Sequence, residues 1–169
     1  MGLFSNTEFN SLEDLFCHQI EDLYDAEKRL TQALPKMADA ASSPQLKSAF
    51  QEHLRETEGQ VKRLEQIFQQ CGKEPSRETC EAMKGLIKEG EEMLEAQGDE
   101  QVRDAALIAA AQRVEHYEIS GYGTARALAE QLGKTEAAQL LQQTLDEEGG
   151  ADKKLTQIAT SHVNLQAAT

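Results

Sequence analysis

Apolar residues recur every three or four positions along most of the chain, the period of helices that bury one face. The first stripe reads Leu12, Leu15/Phe16, Gln19/Ile20, Leu23, Glu27, Leu30, Leu34 and Met37, with Ser11 placed to cap its start. This predicts a helix over about 12–40, and Pro35 inside it should kink the helix or end it early. Ser43 and Pro44 read as the cap and first position of a second helix, about 44–70. Its stripe is Leu46, Phe50, His53, Thr57, Gln60/Val61, Leu64 and Phe68. After a linker over 72–76, Thr79 can cap a shorter helix, about 80–97, with Met83, Leu86/Ile87 and Met93/Leu94 on one face. Two more long helices follow, about 100–131 and 136–163, meeting at Gly133, and residues 164–169 read as a frayed tail.

Only a few residues join the first helix to the second and the fourth to the fifth, so each pair should form an antiparallel hairpin. Between the hairpins lie about 28 residues with their own short helix, enough to travel the length of a bundle. The expected fold is all-α: one ferritin-like four-helix bundle over 1–169, two hairpins joined by a long crossover that bears a fifth, shorter helix. One helix departs from the simple stripe. Val102 and Ala105 to Ala111 are apolar around nearly the whole circumference, so this helix should be covered on more than one side. Either the crossover helix or a second copy of the chain would do so, and a homodimer is expected.

Charge narrows the partners. The chain carries 17 Lys and Arg against 30 Asp and Glu, a net charge of −13. Such a surface repels phosphate backbones and anionic headgroups, which excludes nucleic acid and membrane surfaces as expected partners and favours cations. Cys17, Cys71 and Cys80 are scattered, with no paired framework, and suit a reducing cytoplasm. Residues 1–10 lack the basic and apolar segments of a signal peptide, and the apolar run at 105–111 is too short to cross a bilayer.

The candidate chemistry comes from charged residues that fall where the core should be. Glu27 lies within about 60° of both Leu23 and Leu30 at 100° per residue. Glu56 stands one turn from His53 and from Gln60, Glu115 and Glu118 share a stripe with Tyr122, and Glu148 and Asp152 lie between Leu145 and Leu155. Heights can be counted from the turns. Glu27 is 15 residues before Ser42 and Glu56 is 14 after it, while Glu118 and Glu148 are each 15 from Gly133. Four Glu, one per long helix, should therefore meet at one level. Tyr24, Gln60, Glu115 and Asp152, each 18 or 19 residues from a turn, suggest a second level.

Like charges in a core cost several kcal/mol per uncompensated ion, so they persist only if protonated, paired, hydrated or holding a metal. An oxygen-rich set with one His suits Fe or Mn, and helical bundles build two-metal sites in this way. The candidate ligands are Glu27, Glu56, Glu118 and Glu148, with His53, Glu115 and Asp152 as further ligands or supports. The pattern departs from a standard di-iron bundle: Gly59 and Ala151 stand where Glu-x-x-His would put its His after Glu56 and Glu148. The alternative is ion pairing of these carboxylates with Lys or Arg along the helices. His116 follows Glu115 but points off the stripe and reads as packing or interface.

Several stretches resemble the YciF/YciE-like family of bacterial ferritin-like proteins over nearly the whole chain. They are residues 23–28 (Leu-Tyr-Asp-Ala-Glu-Lys), 53–60 (His-Leu-Arg-Glu-Thr-Glu-Gly-Gln), 80–87 (Cys-Glu-Ala-Met-Lys-Gly-Leu-Ile) and above all 102–119. The resemblance implies a ferritin-like bundle, commonly dimeric, in cytoplasmic stress-associated proteins whose activity is not established. It carries over Glu27, Glu56, Glu115, Glu118 and Glu148 as motif positions. Two functions stay open: a two-ion Fe or Mn protein handling iron, peroxide or oxygen, or a non-catalytic dimeric stress protein whose core carboxylates form a metal-free polar layer.

Overall fold

The computed structural model describes residues 8–168, and every regular element among them is helical. α1 spans Leu12–Ala40, α2 Pro44–Gln70, α3 Glu81–Leu94, α4 Glu100–Gln131 and α5 Thr135–Ile158. α1 begins as its cap residue predicts, with Ser11 Oγ accepting from the Asp14 amide at 3.1 Å, and it continues through Pro35 to Ala40. Ser43 caps α2 with Pro44 at its first turn. α3 differs from the expectation at Thr79: the cap is Cys80, whose Sγ accepts from the Met83 amide at 3.3 Å. The chain end also differs. After α5, a π turn over Ala159–Val163 with Val163 buried leads into a short α6, Asn164–Ala167, so the expected tail is helical over these residues although none of them is buried.

The arrangement is the ferritin-like one, a four-helix bundle of two antiparallel hairpins, α1/α2 and α4/α5, with α1 against α4 and α2 against α5. Two buried carboxylates fix the topology. Asp104, at the start of α4, accepts from the Ser42 amide (2.9 Å), the Ser42 hydroxyl (2.7 Å) and the Ser43 amide (2.7 Å). This ties α4 to the α1/α2 turn, so α4 must run antiparallel to α1. Asp25 of α1 accepts from the Cys80 amide at 2.9 Å and from Arg77 at 2.8 Å, which docks the crossover at mid-height. From there α3 climbs the α1/α4 groove. Its Met83 is fully buried, and Gly90 sits so close to α4 that an added Cβ would touch the Ala110 methyl at 3.9 Å. The crossover helix therefore covers a second side of α4, while Val102 and Ala109 on the same helix stay exposed.

Apolar side chains form two cores along the bundle axis. One, nearer the α1/α2 turn, holds Leu34, Leu46, Phe50, Met83, Leu107 and Leu155. The other, nearer the α4/α5 turn, holds Phe16, Ile20, Leu64, Phe68, Tyr122 and Leu141. Each fully buried Leu, Ile or Phe contributes about 1.5–3 kcal/mol, so these cores carry the fold. Gly121 lets α4 approach α1 between them, because a Cβ there would lie 2.8 Å from Leu23 Cδ2. α4 then ends at Gly133, whose φ of +70° turns the chain into α5. Among the described residues no helix is long and apolar enough to cross a membrane.

Candidate metal centre

A layer of polar side chains separates the two cores. α1 supplies Glu27, α2 supplies His53, Thr57 and Gln60, α4 supplies Glu115 and Glu118, and α5 supplies Glu148; all are buried. One ligand atom from each of His53, Glu115, Glu118 and Glu148 lies within 4.8 Å of the others, a group of a size to hold a metal ion. His53 Nε2 is 3.4 Å from Glu115 Oε1 and 3.7 Å from Glu148 Oε2, while its Nδ1 meets Glu56 Oε2 at 3.3 Å. Gln60 donates its amide to Glu148, and the Tyr122 hydroxyl donates to Glu27, which lies beside Glu118.

The polar groups outnumber their partners. Glu27 Oε2, Glu115 Oε2, both oxygens of Glu118, Glu148 Oε2, Gln60 Oε1, Thr57 Oγ1 and His53 Nε2 are buried without a hydrogen bond. Each such atom loses the solvation that water would give it and gains nothing in exchange. Burial, with repulsion from Glu148, pushes Glu27 well above the usual carboxylate range. Burial also raises Glu115, helped by its hydrogen bond to Glu148, and raises Glu118, helped by the charges of Glu27 and Glu148. For His53, burial favours the neutral ring, but the Glu56 hydrogen bond and the Glu148 charge outweigh it and leave the pKa raised. The neighbouring Arg63 does not neutralise the layer, because its guanidinium binds Glu147 and the Thr144 hydroxyl at 2.8 Å.

The chain folds these groups together because they sit on the inward stripes, and the counted heights largely hold. Glu27, Glu118 and Glu148 meet as the equal distances from the turns require. Glu56 reaches the right height on the wrong face. Its side chain is 35 % exposed and flanks the layer, whereas Thr57, one residue and 100° onward, is fully buried at that level. The second expected level does not form. Glu115 and Gln60 join the first through Glu148, Tyr24 donates to Glu65 at 2.9 Å and packs edge-on to Phe68, and Asp152 bonds Gln112 at 2.9 Å beside the exposed His116. Sequence reasoning gave no role to Thr57. Thr57 and Gln60 stand at i and i+3 on the inner face of α2, the spacing that Glu-x-x-His takes in a di-iron bundle. Their signal was two uncharged polar residues next to His53 on a stripe that is apolar at both ends.

Residues 11–168 match the model of a family described as a domain of unknown function, DUF892. The chain belongs to this family. Within it, the chain is similar to protein YciF of Escherichia coli (strain K12), 51 % identical over 158 residues that cover 93 % of this chain and 95 % of that one. The crystal structure of the E. coli stress protein YciF superposes with a TM-score of 0.89 at 50 % identity, covering 92 % of this chain and 99 % of that one. YcfI of Rhodopseudomonas palustris, given a structural role only provisionally, matches with a TM-score of 0.86 at 43 % identity over 90 % and 98 % of the two chains. A protein from Xanthomonas campestris pv. campestris, 20 % identical with a TM-score of 0.72, shares the fold over 94 % of this chain and 97 % of its own.

Proposed function

We propose that the polar layer is a metal centre that takes two Fe or Mn ions and serves in handling iron, peroxide or oxygen under stress. The observation that carries this reading is the set of buried, unpartnered oxygens facing one imidazole nitrogen. Acceptors that point at one another are satisfied by a cation, and this donor set suits Fe or Mn better than thiolate-seeking metals. His53, Glu115, Glu118 and Glu148 would hold the metal, with Glu27 beside Glu118 as a further ligand. Such ions supply one-electron redox chemistry toward peroxide or oxygen. The chain's own part is to fix the carboxylates on four helices, orient Glu27 through the Tyr122 hydroxyl and Glu148 through Gln60, and exclude water above and below by the two cores. The similarity to a protein called a stress protein supports the physiological setting. A cytoplasmic location and an absence of nucleic-acid partners follow from the acidic, disulfide-free chain as part of the same proposal. The homodimer is part of the same proposal, supported by the family resemblance and by Val102 and Ala109, which α3 leaves uncovered.

A second reading is favoured by Thr57 and Gln60, which replace two metal-binding side chains by weak ones: a metal-free polar layer that fixes helix register in a non-catalytic structural protein. Elemental analysis of protein purified without chelator decides between them. About two Fe or Mn per chain is the expected result. Metal-free protein whose melting temperature does not rise on adding Fe²⁺ or Mn²⁺ sinks the metal reading.

A further inference from the structure

The polar layer is closed on most sides. The two apolar cores seal it along the bundle axis, and Tyr117, Tyr122 and α3 close the side of α1 and α4. The seam between α2 and α5 is open instead. A cleft of about 280 Å³ there is lined by Glu56, Glu147 and Gly150 and reaches His53 and Glu115. Of the carboxylates on its walls, Glu52 pairs with Lys154 and Glu147 is clamped by Arg63 and Gln60. Glu56 is 35 % exposed and lies against His53 Nδ1 at 3.3 Å. The opposite nitrogen of the same ring, buried and without a hydrogen bond, faces Glu115 and Glu148. One imidazole thus stands between a wet carboxylate and the buried ones.

We propose that the α2/α5 cleft is the loading route of the buried site, and that Glu56 is a transfer ligand passing a divalent cation beyond His53 to Glu115 and Glu148. The inference rests on the metal reading above. A hydrated dication sheds water reluctantly, and a carboxylate at the mouth both concentrates it and replaces part of its hydration on the way in. A group touched only in transit speeds entry and exit by the same factor and leaves the equilibrium unchanged; a resident ligand changes the equilibrium. Gly150 gives an independent handle. A Cβ built there meets nothing within 4 Å, so a side chain can enter the cleft from the backbone, and replacing Gly improves helix propensity.

The test is Mn²⁺ uptake by the metal-stripped full chain, mixed rapidly against a fluorescent chelator, with the dissociation constant from equilibrium titration. Glu56→Gln should slow entry and exit alike by about tenfold, the lower end of electrostatic focusing, with Kd unchanged within about twofold. Gly150→Leu should slow both at least as much, with an unchanged or higher metal-free melting temperature. Unchanged rates in both variants overturn the route. A weaker Kd with unchanged entry in Glu56→Gln makes Glu56 a resident ligand and also overturns the proposal. A wild-type chain that takes up no Mn²⁺ removes the metal reading itself, an outcome distinct from either.

Discussion

Asp25 and Asp104 are as deeply buried as the carboxylates of the central layer, yet the two groups live in opposite conditions. Asp25 accepts from Arg29, Arg77 and the Cys80 amide, and Asp104 from two amides and a hydroxyl. Burial works against the Asp25 charge, but Arg29, the Cys80 amide and Arg77 outweigh it and hold the pKa below the usual range. Glu27, Glu115 and Glu118 have few such donors, and burial lifts all three. Burial alone therefore does not mark a functional carboxylate. What separates the groups is whether the chain itself completes the coordination: it does so where the carboxylate positions the crossover and the first turn, and it does not in the layer.

The strongest way to break this comparison is to delete one member of each group. Asp25→Ala leaves the buried Cys80 amide without its acceptor, while the partly exposed Arg29 and Arg77 can turn to water, and should cost about 2–3 kcal/mol. Denaturant unfolding of metal-free protein measures it. In the same assay Glu118→Gln removes a repelling charge and should be neutral or stabilising, by up to about 2 kcal/mol. Equal losses in the two variants would mean that the layer is as well satisfied as the Asp25 node.

Acidity should separate the groups again, with a somewhat smaller effect. A carboxylate whose folded pKa is raised stabilises fully below its unfolded value, near pH 4.3, and loses that contribution as pH rises through the folded value. Glu27, Glu115 and Glu118 behave so, and His53, raised from its unfolded value near 6.5, loses its contribution in the same direction. Asp25 is the reverse: its contribution is complete above its unfolded value, near pH 3.9, and is lost as pH falls through the depressed folded value. In chelator, the melting temperature should therefore fall from pH 5 to pH 8, and saturating Mn²⁺ should flatten the slope by taking the place of the protons. A melting temperature in chelator that rises across this interval contradicts the raised values.

The bundle was legible in the sequence because helix period, cap residues and loop lengths are local or nearly local signals. Ser11, Ser43 and the long crossover were enough for the topology. Heights of the carboxylates were legible too, since equal counts from a turn are equal rises. Facing was harder: Glu56 and Thr57 differ by one residue and about 100°, and only the packing of α2 against α5 decides which turns inward. The unfilled demand of the layer could not be read at all. It depends on which donors fail to arrive, as when Arg63 turns to Glu147, and that is a property of three-dimensional neighbours.

The smallest expected effect sharpens the comparison most finely, because it touches the one donor that the layer provides to Glu27. The Tyr122 hydroxyl bonds Glu27 Oε1 and favours its ionised form, against burial and the Glu148 charge that favour the neutral one. Tyr122→Phe removes that donor while keeping the ring in the core nearer the α4/α5 turn. Glu27 should then hold its proton to higher pH, and a metal must displace that proton to bind. The midpoint of Mn²⁺ loading against pH should shift upward, by less than about one unit, since one hydrogen bond is worth about 1 kcal/mol and one unit is 1.36 kcal/mol. Titrating Mn²⁺ uptake from pH 5 to pH 8 in both proteins measures the shift. A midpoint that stays in place would mean that Glu27 releases no proton on loading and lies outside the metal's reach.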